Sequence, residues 1–219
     1  MRIIGGTAGR RLLKVPKGYE LRPTPDLVRQ AIFNSLGARV VGARVLELFA
    51  GTGALSLECL SRAAALAVCV EKSDRHAEVL RQNFAQVGLD AARLEVRVQD
   101  AFTALGQLSA AGQQFDLILA DPPYGEKNVG RRSKSFAQQL LDDLYLPSLL
   151  ARDGLFVLGH SKRDTLELPG VWREAMLAGL AEVAATADHL DFAAMHWELF
   201  DRLALRAVTS SAAGQPSPR

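Results

Sequence analysis

Asp121-Pro122-Pro123-Tyr124 places an acid, two prolines and an aromatic ring directly after the apolar run "FDLILA". Proline has no N–H to give to a β ladder, so the pair ends a strand and stiffens the turn beyond it. Such a turn suits one kind of chemistry. The exocyclic amine of a nucleobase is a poor nucleophile because its lone pair is delocalised into the ring. A carboxylate (Asp121) and a main-chain carbonyl of fixed direction (Pro122) can each accept one N–H and hold the amine where that lone pair is available. Pro123 restrains the residue before it, and Tyr124 offers a face on which the base can stack. The expected contribution is orientation and electrostatic positioning. A capping acid on a tight turn is common for Asp-Pro but uncommon for this four-residue run.

A second constellation lies upstream. "LELFAGTGAL" reads as strand, glycine-rich turn and helix, and Gly51 and Gly53 let the turn be tight and a ligand approach the backbone. Ser56 stands where a dinucleotide fingerprint would have its third glycine, which counts against NAD, and no P-loop lysine motif is present. The next strand ends in Glu71, an acid placed to accept hydrogen bonds from a ribose diol; capping the following helix is its structural alternative. The third strand runs into Asp100, which either accepts from an adenine amine, with Phe102 or its neighbours against the ring, or caps a helix. Three consecutive strand tips that outline an adenosine without a pyrophosphate favour S-adenosylmethionine. Glu47, Phe49, Lys72 and Ala101, in the same segments, complete the candidate cofactor set.

These residues need a frame. Strand patterns at 44–49, 66–71, 93–99, 115–120 and 154–160 alternate with helical patterns at 53–64, 74–88, 101–110 and about 135–150. Alternation of this kind implies right-handed crossovers and a parallel sheet covered on both faces, a doubly wound α/β domain. In that architecture ligands bind at the carboxyl ends of the strands, where the motifs collect. Asp74 is placed to cap the helix that Gly88 ends. Ahead of the sheet, "RIIGG" and "RLLKV" suggest a hairpin, and "TPDLVRQAIFNSLG" a capped amphipathic helix ended by Gly37. Residues 171–208 are ambiguous between helix and strand, with "AAMHWELFDRLAL" (193–205) a candidate closing antiparallel strand. Residues 209–219 read as a disordered tail.

The 219 residues, 48% of them hydrophobic, suffice for one domain with a real core. No apolar run reaches membrane-spanning length, and the first residues lack a signal-peptide pattern. Cys59 and Cys69 have no metal-type spacing and read as reduced, buried thiols; no metal is expected. The net charge of +2 divides unevenly, +7 over residues 1–44 and −5 over the rest. A basic end on an acidic domain suits a polyanionic partner, and a solvated charged face is the plainer explanation.

The ordered set "MRIIGGTAGRRL…LRPTPDLVRQAIFNSLG", "LELFAGTGALSLECLSR", "VEKS" and "DPPY" resembles bacterial RNA methyltransferases of the RsmD type, over roughly residues 1–160. The resemblance implies a Rossmann-like S-adenosylmethionine-dependent methyltransferase domain at 41–208 behind a basic RNA-binding extension at 1–40. It implies methylation of a guanine N2 amine in small-subunit (16S) ribosomal RNA, in the cytoplasm. Asp121 to Tyr124 would be the amine site, and Arg10, Arg11, Arg22, Thr24 and Arg29 would meet the RNA. The chain departs from the family pattern in the basic segment "GEKNVGRRSKS" (125–135) and in lacking a closing Gly-Asp-Thr. A monomer is the default expectation. Adenine-N6 methylation of DNA or RNA, and a non-catalytic RNA-binding assembly factor on the same fold, stay open.

Overall fold

The computed structural model describes residues 1–15, 24–123, 132–161, 164–174 and 201–207. Its architecture follows from strands that are apolar on both faces. On β1 (Arg44–Leu48), Val45 turns to one core while Leu46 and Leu48 turn to the other. On β4 (Phe115–Ala120), Leu117 and Leu119 oppose Ile118 and Ala120 in the same way. Strands of this kind require helices on both sides.

With β2 (Leu66–Glu71), β3 (Leu94–Val98) and β5 (Leu150–His160), these two form a parallel sheet in the order β3-β2-β1-β4-β5. The edge beyond β5 is antiparallel: β7 (Asp201–Ala207) pairs with β5, and β6 (Trp172–Glu174) with β7. β7 realises the second half of the anticipated closing strand. The first half, the tail and most of the basic segment (125–131) lie outside the described residues.

One face carries α1 (Asp26–Leu36), α2 (Ala54–Ser61) and α3 (Asp74–Val87), packed through Ile32, Phe33, Leu57, Leu60 and Phe84. The other carries α4 (Ala101–Ala110) and α5 (Phe136–Asp142), with Leu105, Leu108, Leu140 and Trp172 in its core. The Trp172 indole N–H donates to the Leu141 carbonyl at 2.9 Å, as a buried indole must find an acceptor.

One local expectation is met at the N-terminal segment and three differ from what is observed. The segment 1–15 is the expected hairpin, a short strap in which Arg2 is bridged antiparallel to Leu12 and the arms are joined by Ile3 N–H to Arg11 O at 3.0 Å, Arg10 N–H to Ile3 O at 2.8 Å and Leu13 N–H to Met1 O at 2.9 Å. Amides at its tip are taken by α2: Ile4 and Gly5 N–H both donate to the buried Glu58 carboxylate at 2.8 Å, and Ala8 N–H donates to Ser61 Oγ at 2.9 Å. α1 has Pro25 at its N-cap and no side-chain cap. α3 is capped by Ser73, whose hydroxyl accepts from His76 N–H, and Asp74 is its first residue. The helix expected over 135–150 stops at Asp142, because Asp143 accepts from the N–H groups of Tyr145 and Leu146 and Pro147 opens a separate 3₁₀ turn.

Candidate active site

The strand order reverses between β1 and β4, where an open α/β sheet presents its ligand crevice. Register makes the placement specific. Leu48 lies opposite both Ala120 and Val70, so the turn after β1, the acid-proline turn after β4 and Glu71 leave adjacent rungs. Glu71 in turn stands opposite Val98, two residues before Asp100. The four sequence motifs thus meet along one edge.

The glycine turn is fixed from below. Phe49, Gly51 and Gly53 all have left-handed backbones, φ 57°, 53° and 74°. A Cβ on Gly53 would come within 2.6 Å of the Leu80 side chain, so this glycine is required by packing on α3. A Cβ on Gly51 would meet only Phe49 O at 4.0 Å, which leaves its outer side open for a ligand. Glu71 braces the turn: one carboxylate oxygen accepts from Gly51 N–H at 2.7 Å and the other from Ser73 N–H at 2.8 Å. Oε1 also lies 3.4 Å from His76 Nδ1, so the ribose role remains chemically available at the second lone pair of Oε2. Glu47 lies deeper than expected of a cofactor ligand. It is 3% exposed and accepts from Ser56 N–H at 2.9 Å, which makes it a brace for the first turn of α2. Burial pushes its pKa up to about 7, and the negative charge of Asp121 pushes the same way.

Asp100 does what a helix cap does, accepting from Phe102 N–H at 3.0 Å ahead of Ala101, the first residue of α4. Its other oxygen meets the exposed Lys72 ammonium at 3.4 Å. Both alternatives read from the sequence are therefore compatible: one oxygen caps, and the second faces an exposed ammonium at the surface. Beside it Phe49, Phe102 and the half-exposed Phe136 form a ring cluster with centroids 5.5 to 6.4 Å apart. Phe136 was not anticipated, since it opens α5 outside every motif.

At the amine site, Asp121 Oδ2 accepts from the Thr24 hydroxyl at 2.5 Å, across 97 residues of sequence. Pro122 is buried and Pro123 exposed. Thr24, Ile32, Leu55, Val157 and Gly159 line a small pocket against Asp121. Tyr124 and Arg22 lie outside the described residues.

The arginines expected at the RNA separate into three kinds. Arg10 is exposed. Arg11 is exposed but ties the strap to the end of α3 by donating to the Val87 carbonyl. Arg29 is fully buried, donating to the Arg2 carbonyl and the Asp26 carboxylate, which corrects its assignment as an RNA contact. Burial drives its pKa down and Asp26 opposes this, as for a structural guanidinium. Two supports escaped the sequence reading. Glu58 anchors the strap, and Asn83 donates to the carbonyls of Lys14 and Thr52, joining the strap to the glycine turn. Their signal was available: each is a polar residue on an otherwise apolar helix face. Cys59 and Cys69 are free and buried, with burial raising both thiol pKa values, so neither is a poised nucleophile. Among the described residues no cluster of His, Cys, Asp and Glu is arranged to hold a metal ion.

Comparison with known proteins agrees with this geometry. The model of the family described as conserved hypothetical protein 95 matches residues 1–180. The Bacillus subtilis (strain 168) protein YlbH is 34% identical over 169 residues, 77% of this chain and 86% of that protein. Ribosomal RNA small subunit methyltransferase D of Escherichia coli (strain K12) is 40% identical over 124 residues, 57% of this chain and 60% of that enzyme. The structure of the Escherichia coli methyltransferase-type protein yhhF superposes with a TM-score of 0.69 at 26% identity, covering 95% of this chain and 99% of that one. With its Rossmann-like sheet, the chain belongs to the conserved hypothetical protein 95 family, the RsmD-type family that its motifs resemble.

Proposed function

We propose that the chain is an S-adenosylmethionine-dependent methyltransferase that modifies the N2 amine of a guanine in small-subunit ribosomal RNA. One observation carries the reading: Leu48 and Ala120 are register partners, so Asp121 leaves the sheet beside the Gly51–Gly53 turn. A nucleobase amine held at Asp121 would then lie next to whatever the turn holds. The residues fit the cofactor: the outer side of Gly51 is open, and Glu71 and Asp100 present carboxylates on the next two strand tips.

When bound, S-adenosylmethionine supplies an electrophilic methyl group on a sulfonium. The chain's own contribution is positional. Asp121 and the Pro122 carbonyl accept the two N–H groups of the amine, which turns the nitrogen lone pair toward the methyl carbon. Methyl transfer would leave the amine nitrogen cationic, and the Asp121 carboxylate would stabilise that charge until a proton passes to water. The base must be unpaired or extruded to reach this edge.

Ribosomal RNA as the substrate is supported by the family, by the name of the Escherichia coli relative and by the basic N-terminal region. The reaction would take place in the cytoplasm, where small subunits assemble, with the enzyme as a monomer. No helix among the described residues is long and apolar enough to cross a membrane.

The test is mass spectrometry of nucleosides from the small-subunit RNA of a strain lacking the gene. Loss of one N2-methylguanosine is expected. Loss of an N6-methyladenosine instead would replace guanine with adenine at the same site, and an unchanged profile would remove ribosomal RNA as the substrate.

A further inference from the structure

We propose that Thr24 is a positioning residue for Asp121, so that the amine-binding carboxylate is set by the docked N-terminal element. The proposal rests on the methyltransferase reading above, and it changes the part assigned to Thr24 from meeting the RNA to acting through Asp121.

The contact is short, 2.5 Å from the Thr24 hydroxyl to Asp121 Oδ2, within the range of an O–H donor on a carboxylate. A threonine just ahead of a helix ordinarily turns its hydroxyl back to cap it. Here Pro25 holds the N-cap position of α1 and no side chain caps that helix, so the Thr24 hydroxyl is withheld from the usual local use. Its position is well determined. The Pro25 carbonyl accepts from Arg29 N–H at 3.0 Å, and the buried Arg29 guanidinium joins α1 to the strap at Arg2. The strap is itself fixed to α2 by Glu58 and Ser61. A chain of bonded groups therefore runs from α2 through the strap and α1 to one oxygen of Asp121.

Asp121 needs such help. It follows the last residue of β4, and a side chain there has rotamer freedom that the two prolines, which restrain backbone, do not remove. A hydroxyl on Oδ2 selects one orientation of the carboxylate. Ile32, Leu55 and Val157 close the apolar side of the pair.

The test compares Thr24→Val, which keeps the shape and removes the hydroxyl, with Thr24→Ser, which keeps the hydroxyl. Full-length protein is assayed with radiolabelled S-adenosylmethionine on small subunits from the deletion strain, and cofactor binding is followed by calorimetry. Thr24→Val should lower the single-turnover rate at saturating RNA by about 10- to 100-fold, with cofactor Kd within about twofold, and Thr24→Ser should recover to within about threefold of the parent. A wild-type rate in Thr24→Val overturns the proposal. So does a Thr24→Ser as slow as Thr24→Val, or a loss confined to KM, which would make Thr24 a substrate contact. Asp121→Ala, run alongside, separates the two levels. If it retains full rate, the amine site itself is misassigned; if it is inactive while Thr24→Val is not, only the present inference fails. Should small subunits not be methylated at all, the pair is still readable in urea unfolding midpoints of Thr24→Val, Asp121→Ala and the double variant. Non-additive shifts are expected, and additive ones overturn the proposal.

Discussion

A carboxylate cut off from water holds its proton more tightly, and Glu47 is in that position, 3% exposed with a pKa of about 7 against 4.5 for the free side chain. The folded chain therefore keeps a proton that the unfolded chain releases between those two values. The stability this contributes is complete below pH 4.5 and is lost as pH rises toward 7, by about 1.4 kcal/mol per unit and about 3 kcal/mol in all. Glu47→Gln can still accept from Ser56 N–H and has no proton to lose. Urea unfolding from pH 4.5 to 8 should show the variant gaining about 3 kcal/mol on the parent across that interval, then running parallel. Parallel curves throughout would mean that Glu47 titrates normally. Asp121→Asn should lower the upper end of that interval, because the neighbouring negative charge is one of the causes of the shift in the folded state.

At the scale of elements, the two glycines of the first turn should separate. Both have positive φ, but only Gly53 faces a side chain, Leu80 at 2.6 Å. Gly51→Ala should cost about 1 kcal/mol for the left-handed backbone alone, and Gly53→Ala about 2–4 kcal/mol once displacement of Leu80 is added. Equal losses in denaturant titrations would contradict the packing account. The elements themselves were largely legible. The bounds of β2, α4 and β4 follow from apolar runs closed by turn residues, and the alternation of strand and helix gave the parallel sheet. Bonding partners were not legible, for a physical reason. Whether Ser73 or Asp74 caps α3 depends on a one-residue difference in backbone entry, and both side chains are capable. The burial of Arg29 depends on how the N-terminal hairpin docks against α1, which the residue pattern of neither element states. Candidate site residues were found because they lie at strand ends, and their supports were missed because they lie on helix faces.

For the whole molecule, the +7 carried by residues 1–44 overstates the charge open to a polyanion. Arg29 is fully buried, and Arg11 is engaged with the Val87 carbonyl. Among the candidate arginines at described residues, Arg10, exposed on the strap, is the one open to a direct electrostatic role. Affinity for small-subunit RNA should fall linearly with the logarithm of salt, and Arg10→Ala should reduce the slope by about 1. Arg29→Met should leave the slope unchanged and lower the unfolding midpoint. A slope that drops for Arg29→Met instead would place that guanidinium on the RNA.

The strap that grips Glu58, Ser61 and Asn83 also has a consequence for the order of folding. Residues 1–15 are translated ahead of α2 and α3, yet the side chains that hold them to the domain, Glu58, Ser61 and Asn83, are made some fifty to seventy positions later. The strap must wait undocked until α2 and α3 have emerged to receive it. Its docking is a late event in synthesis, and it completes the face on which α1 rests.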